Sequence, residues 1–293
     1  MDKGILKVQM FGSFSLIWNG MQIAGGPKAR ESQFAYLMQL LLHYREKGVS
    51  RNCLEEALFG EREVGNVHHS LRSVLYNARK KLRKAGLPEV DYIQQKHDIF
   101  YWTEKIAVEE DTREFEALCQ KAEEMEDSKE RLECLIDACY CYRGDFLPQQ
   151  AGVIWAAQEA RRYQGMFFSC VEEAVILLRI QEDWSRMKEL GVYVCHISPF
   201  ADWEVITMEA LVSMGWMSEA RKLYDDTMEL YMQEQGCRPS KKLMELLDRL
   251  GSQMDHRYAM LDAIQSELSE EETQQGGYLC SWPVFQGIYQ YTK

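Results

Sequence analysis

The segment Asn66–Ala85, NVHHSLRSVLYNARKKLRKA, concentrates hydrogen-bond donors and positive charge at helical spacing. Its apolar residues are Val67, Leu71, Val74, Leu75, Ala78, Leu82 and Ala85. Intervals of three and four draw a single stripe along one side of a helix. The opposite side is centred on His69, Ser73, Tyr76 and Lys80, flanked by Arg72, Arg79, Arg83 and Lys84. The segment holds six Lys/Arg and no Asp or Glu. Asn66 can cap the start, Gly86 can stop the helix, and Pro88 follows. Such a side offers donors to base edges and positive charge to phosphates. A charged face that meets only water shows the same pattern in isolation, so the neighbouring elements must decide.

Other chemistries find less support. Adjacent helical residues point about 100° apart, so His68-His69 makes a poor metal chelate. His69 suits a phosphate or base, while His68 lies nearer the core edge. His196, before Ser198-Pro199, reads as structural. No GxSxG, Walker loop or HExxH occurs. Gly25-Gly26 is not followed by a GKS/T sequence and reads as a turn. The pairs Glu123-Glu124, Glu172-Glu173 and Asp225-Asp226 fall on solvated helix faces. Nine cysteines without a CxxC spacing indicate neither a disulfide framework nor a zinc site. Cys139 and Cys141 read as small buried residues of a reducing cytoplasm. No catalytic residue, metal or cofactor is expected.

The elements around the basic helix place it. Leu6, Val8 and Met10 alternate, as do Phe14, Leu16 and Trp18, and Asn19-Gly20 supplies a hairpin turn back through Met21-Gln22-Ile23. Gly25-Gly26-Pro27 ends this small antiparallel sheet. A helix follows from about Ala29 to Tyr44, with Phe34, Leu37, Leu41 and Tyr44 facing in. Ser50 can cap a second helix, Arg51–Phe59. The basic helix comes third, after the acidic turn Glu61–Gly65. Two short strands, Tyr92–Gln95 and Ile99–Trp102, flank a tip at Lys96-His97-Asp98. Sheet, three helices and hairpin in that order make a winged helix-turn-helix, whose third helix enters a major groove of about 12 Å.

Three stretches carry a family resemblance. GGPKAR at Gly25–Arg30, VSRNCLEEALFG at Val49–Gly60 and SLRSVLYNARKKL at Ser70–Leu82 resemble the three helices of OmpR-type DNA-binding domains, most of all those of antibiotic-regulatory (SARP-type) activators. Two departures are visible. The wing reads KHDIFYW where the family carries a Gly-Tyr pair, and Tyr76-Asn77 stand where relatives carry Ser and Arg. The resemblance implies a homodimer arranged head to tail on direct repeats of double-stranded DNA, with the turn Glu61–Gly65 facing RNA polymerase. Arg72, Ser73, Tyr76 and Asn77 are the candidate base contacts. Arg79, Lys80, Arg83 and Lys84 are candidate phosphate contacts, with His69, Arg51 at the start of the second helix, and Lys96 and His97 on the wing.

Charge divides along the same line. Residues 1–105 hold 16 Lys/Arg against 11 Asp/Glu, although the whole chain of 293 residues carries −12. The remainder, 106–293, is acidic, and 106–250 reads as helical throughout, with Asp111 capping its first helix and short joints at Arg143-Gly144-Asp145, Ser198-Pro199 and Gly215-Trp216. Paired helices with short turns indicate a tetratricopeptide-like solenoid. DTREFEALCQKA, YRGDFLP and the stretch 199–250 resemble the bacterial transcriptional activator domain that follows the winged helix in SARP-type proteins. Residues 251–293 read as one more helix and a linker. The tail GGYLCSWPVFQGIYQYTK resembles the entry to a further domain, or packs on the last helices.

The expected fold class is therefore mainly α, with a small α+β N-terminal domain. The expected domains are 1–105, 106–250 and 251–293. No apolar run approaches the roughly 18 residues of a membrane helix, and the N-terminus lacks a signal-peptide core, so a cytoplasmic, non-enzymatic regulator is expected. Two other readings remain open. One is an interaction scaffold whose winged helix no longer reads DNA. The other is an effector-binding regulator, with Trp155, Trp184, Trp203 and Trp216 lining a concave face.

Overall fold

The computed structural model describes residues 4–26, 32–60, 66–199, 201–233, 245 and 252. The chain divides into two compact units, Met1–Thr207 and Met208–Lys293.

The first unit opens with strands β1 (Ile5–Gln9), β2 (Ser15–Trp18) and β3 (Met21–Gly25). Asn19 and Gly20 both take positive φ, 47° and 80°, the requirement of the tight hairpin turn read from their sequence. Helix α1 spans Gln33–His43; the Ser32 hydroxyl accepts from the Ala35 amide, and the helix therefore starts later than the Ala29 expected. A two-residue strand, β4 (Val49–Ser50), leads into α2 (Arg51–Phe59), capped by Ser50 as expected. Helix α3 runs Val67–Lys84, and the Asn66 side chain accepts from the His69 amide. Strands β5 (Ile93–Lys96) and β6 (Ile99–Trp102) form the hairpin. The wing sheet has the order β4-β6-β5, all antiparallel. The turn Glu61–Gly65 lies outside the described residues.

One strand is new. Ala107–Glu110 forms β7, which pairs in parallel with β1, so the segment after the wing is not helical throughout. The N-terminal sheet then has the order β3-β2-β1-β7. From it the chain enters the helical layer: α4 (Asp111–Glu124), α5 (Ser128–Cys141), α6 (Ile154–Ile180) and α7 (Trp184–Ile197). Asp127 caps α5 and Asp183 caps α7 through side-chain oxygens. Each helix packs on the next, and charged pairs bridge them at the surface, Arg131 to Glu173 and Arg186 to both oxygens of Glu133.

Asp111 does not cap α4, as its sequence position had indicated. Glu110 occupies that place, and its side chain accepts from no amide of the helix's first turn. The Asp111 carboxylate instead accepts from the Met10 amide at 2.8 and 3.0 Å and the Phe11 amide at 3.0 Å, and also from Thr112. It thereby anchors the end of β1 to the first turn of α4. Beside it, Glu110 is buried against Arg45, His43 and Thr112.

Phe11 completes the joint. Its ring is fully buried, 5.5 Å from Phe115, 4.8 Å from Tyr142 and 5.2 Å from Tyr163. These partners sit on or beside α4, α5 and α6. Gly12 follows at φ 73°, its amide bonded to the Asp145 carbonyl. A Cβ at Gly12 would lie 2.8 Å from the Arg143 carbonyl oxygen. Only glycine accepts both the positive φ and that approach.

In the second unit, α8 (Glu204–Ser213), which begins in the first, continues to a turn where Gly215 takes φ 80°. Helix α9 (Met217–Gln233) follows, with Ala220 fully buried. The helices expected at 240–250 and 253–272, and the aromatic tail, fall on residues outside those described, apart from Glu245 and Ser252, which are helical.

Candidate nucleic-acid interface

Helix α3 turns its apolar stripe inward. Leu71, Leu75, Ala78 and Leu82 are buried, against partners that include α1 and α2. At about 100° per residue the opposite side must then face out, and it does. His69, Arg72, Ser73, Tyr76, Asn77, Lys80, Arg83 and Lys84 are all exposed, Tyr76 to 65%. An aromatic side chain this bare on a helix surface gains nothing from the core. It keeps its apolar face and its hydroxyl available for a partner.

Several contacts fix the helix in place. His68, expected nearer the core edge, is exposed, and its Nδ1 lies 2.6 Å from a Glu55 oxygen on α2. Lys81 sits 4.2 Å from the centroid of the Phe34 ring on α1, and partial burial lowers its pKa. Lys81 is exposed like Lys80, Arg83 and Lys84, but its ammonium lies over that ring. Ser73 donates its hydroxyl to the His69 carbonyl one turn back, so its oxygen remains the free acceptor. Arg83 lies 3.6 Å from Glu89, both well exposed. Such a pair contributes little and opens readily.

The remaining candidates lie on the wing or contact it. Lys96 and His97 are exposed at the hairpin tip. His97 takes φ 57° to turn the chain, and the Gln95 amide donates to its carbonyl. The Lys96 ammonium lies 5.6 Å from the centroid of the Tyr101 ring. Arg51 and Arg79 differ from the others: both are half-buried. The Arg79 guanidinium donates to the Ile93 carbonyl and approaches Asp91 at 3.5 Å. Arg51 donates to Asp98 at 3.2 Å and lies 5.6 Å from the Phe100 ring centroid. Residue type alone did not separate these two from the free cations. The signal was the acid at each end of the hairpin, Asp91 and Asp98.

The tryptophans do not form one open face. Trp155 packs against His43, Tyr44 and Phe146 and donates to the Tyr36 hydroxyl. It belongs to the joint between α1 and the helical layer. Trp203 lies against Phe168, with ring centroids 5.2 Å apart, and Trp216 is 44% exposed. Both Cys139 and Cys141 are expected to be buried; Cys139 is fully buried, whereas Cys141 is half-buried. Among the described residues no cluster of His, Cys, Asp and Glu could hold a metal ion. Among them, too, no helix is long and apolar enough to cross a membrane.

These features define a winged helix-turn-helix followed by a tetratricopeptide-like helical layer. Comparison with known proteins carries this further. Residues 110–250 match the family model of the bacterial transcriptional activator domain. The fold is similar to that of Mycobacterium tuberculosis EmbR in complex with a low-affinity phosphopeptide, with a TM-score of 0.58 and 15% identity over 91% of this chain and 71% of that one. No curated protein matches the chain. The family match covers residues 110–250, and the likeness to EmbR is one of fold.

Proposed function

We propose that this chain is a sequence-specific DNA-binding transcriptional activator of the cytoplasm. Its domains are then a winged helix at 1–105, an activator domain at 106–250 and a further segment at 251–293. The observation that carries the proposal is the outward, acid-free side of α3, whose donors and cations stay exposed while its apolar stripe is buried. On this reading α3 lies in the major groove. Arg72, Ser73, Tyr76 and Asn77 meet base edges; Asn suits adenine and Arg suits guanine. His69, Lys80, Arg83 and Lys84 meet phosphates, and Lys96 and His97 meet the adjacent backbone.

One winged helix buries only roughly 600–1,000 Å² on DNA. Two copies therefore share a site, as a homodimer on direct repeats about one helical turn apart. RNA polymerase is the second partner, through the region between α2 and α3. The test is selection of bound sequences from random DNA with the purified chain, followed by titration of the winning site at several salt concentrations. Enrichment of a repeated motif is expected. Removing Lys80 and Lys84 together should make the log K against log[salt] slope shallower by about 1.8, near 0.9 per phosphate. Weak binding with no enriched motif would defeat the proposal and favour an interaction scaffold.

A further inference from the structure

Two arginines with the chemistry of phosphate ligands are engaged elsewhere, and their partners share a pattern. The wing sheet has the order β4-β6-β5, so β5 is an edge strand. The Tyr92 carbonyl accepts from the Thr103 amide across the hairpin at 2.9 Å. Backbone groups alternate along an antiparallel strand, so the next carbonyl, Ile93, points away from β6 with no partner in the sheet. Arg79 on α3 fills that vacancy, and its Nε faces Asp91 at 3.5 Å. At the opposite end of the hairpin the Arg51 amide donates to the Asp98 carbonyl at 2.7 Å, while its guanidinium meets the Asp98 carboxylate and the Phe100 ring. Each helix of the helix-turn-helix therefore holds one end of the wing, α3 at the base and α2 at the tip.

We propose that Arg79 and Arg51 are positioning residues that fix the wing on the two helices before DNA arrives, and that Arg79 is not itself a phosphate ligand. This rests on the DNA-binding reading for its purpose, but the tie exists in the free protein and can be tested there. The acids beside the two arginines offset their charge. Meanwhile Lys96 and His97 at the tip are carried at a set distance from Tyr76 and Asn77. The physical advantage is preorganisation: a wing already ordered loses less entropy on binding.

The experiment has an arm without DNA and an arm with it. In the free chain, amide exchange across 93–102 should speed up about tenfold or more in Arg79→Gln and in Arg79→Lys. Lysine keeps the charge, yet it lacks the planar fork that reaches a carbonyl and a carboxylate together. Asp91→Asn should also speed it, by a smaller factor. Circular dichroism checks that helix content is retained. On the selected DNA site, both Arg79 variants should lose affinity about tenfold and lose protection of the phosphates beneath the wing, with the salt slope made shallower by the same amount in both.

Opposite results overturn the proposal. They are unchanged wing exchange in both Arg79 variants, or an Arg79→Lys chain that binds like wild type while Arg79→Gln loses about 0.9 from the slope. A wild-type chain that ignores every oligonucleotide would defeat the DNA-binding reading alone, and the exchange arm would still decide whether Arg79 holds the wing.

Discussion

The sharpest mechanical prediction concerns Phe11→Ala. Phe11 leaves the end of β1 and inserts a fully buried ring among Phe115, Tyr142 and Tyr163. Removing a buried phenyl ring costs about 3–5 kcal/mol when the site cannot collapse. Collapse is hindered here, because all three facing rings are themselves fully buried. Each aromatic pair adds about 0.5–1.5 kcal/mol beyond the area it buries, which argues for the upper part of the range. At roughly 2–4 °C per kcal/mol for a body of this size, the melting temperature should fall by about 6–20 °C. The loss should also uncouple the N-terminal sheet from α4, α5 and α6. Urea unfolding followed by helix content and by tryptophan emission should then give separate midpoints, where wild type gives one. Phe11→Leu keeps most of the volume and should cost less than about 1.5 kcal/mol. If Phe11→Ala costs under about 1 kcal/mol and the two signals still coincide, Phe11 is not what couples the layers.

Other expectations follow from single residues. Asn66→Ala removes the side-chain acceptor from the His69 amide and should cost about 0.5–2 kcal/mol, read as early fraying of α3 by amide exchange. Gly12→Ala meets the Arg143 carbonyl at 2.8 Å from a backbone at φ 73°, so thermal melts should register a loss above about 1 kcal/mol. The joint also sets a pH profile. Burial would raise Glu110, but the His43 ring, the Thr112 hydroxyl and the Arg45 charge hold it below its ordinary 4.5, so its contribution is present above that pH and is lost as pH falls further. Burial pushes Asp111 up to about 7 against its backbone hydrogen bonds, so its contribution is complete below its ordinary 3.8 and is lost as pH climbs through 7. Taken together, these two groups should give maximal stability around their ordinary values, 3.8 to 4.5, and a decline from there toward pH 7, with Glu110→Gln flattening only the acid limb; a steady rise to pH 8 would contradict the assignment.

What was legible in the sequence was local. The N-caps Ser50 and Asn66 act on amides three residues away, and the structure uses both. The inward and outward sides of α3 follow from spacing within one helix. Asn19-Gly20 carries its own backbone requirement. What escaped depends on partners far along the chain. Strand β7 has no strong alternating pattern and exists because β1 offers an open edge. Asp111 reads as a cap by position, yet its acceptors serve amides 100 and 101 residues away. The same limit applies to Arg79. Its charge and its place beside Lys80 are visible in the sequence, but the outward Ile93 carbonyl it fills is a product of strand pairing.

The charge balance of the chain raises one more consequence. A net charge of −12 predicts repulsion from DNA, whereas the exposed side of α3 predicts attraction. Distance and screening decide between them. At 0.15 M salt the Debye length is about 8 Å, so only charges in contact with the duplex are felt, and the cations of α3 and the wing dominate. At 0.01 M it is about 30 Å, and acidic residues well beyond the interface begin to oppose binding. A protein with a uniformly basic surface gains affinity steadily as salt is removed, along a straight line of log K against log[salt]. This chain should follow such a line near 0.1–0.3 M and then bend over, gaining progressively less below about 0.03 M. The same opposition should keep binding to unrelated DNA weak, because it acts on every sequence while base contacts reward only one. A line that stays straight down to 0.01 M would mean that the acidic residues are neutralised or held out of range, and the argument from opposed charges would fail.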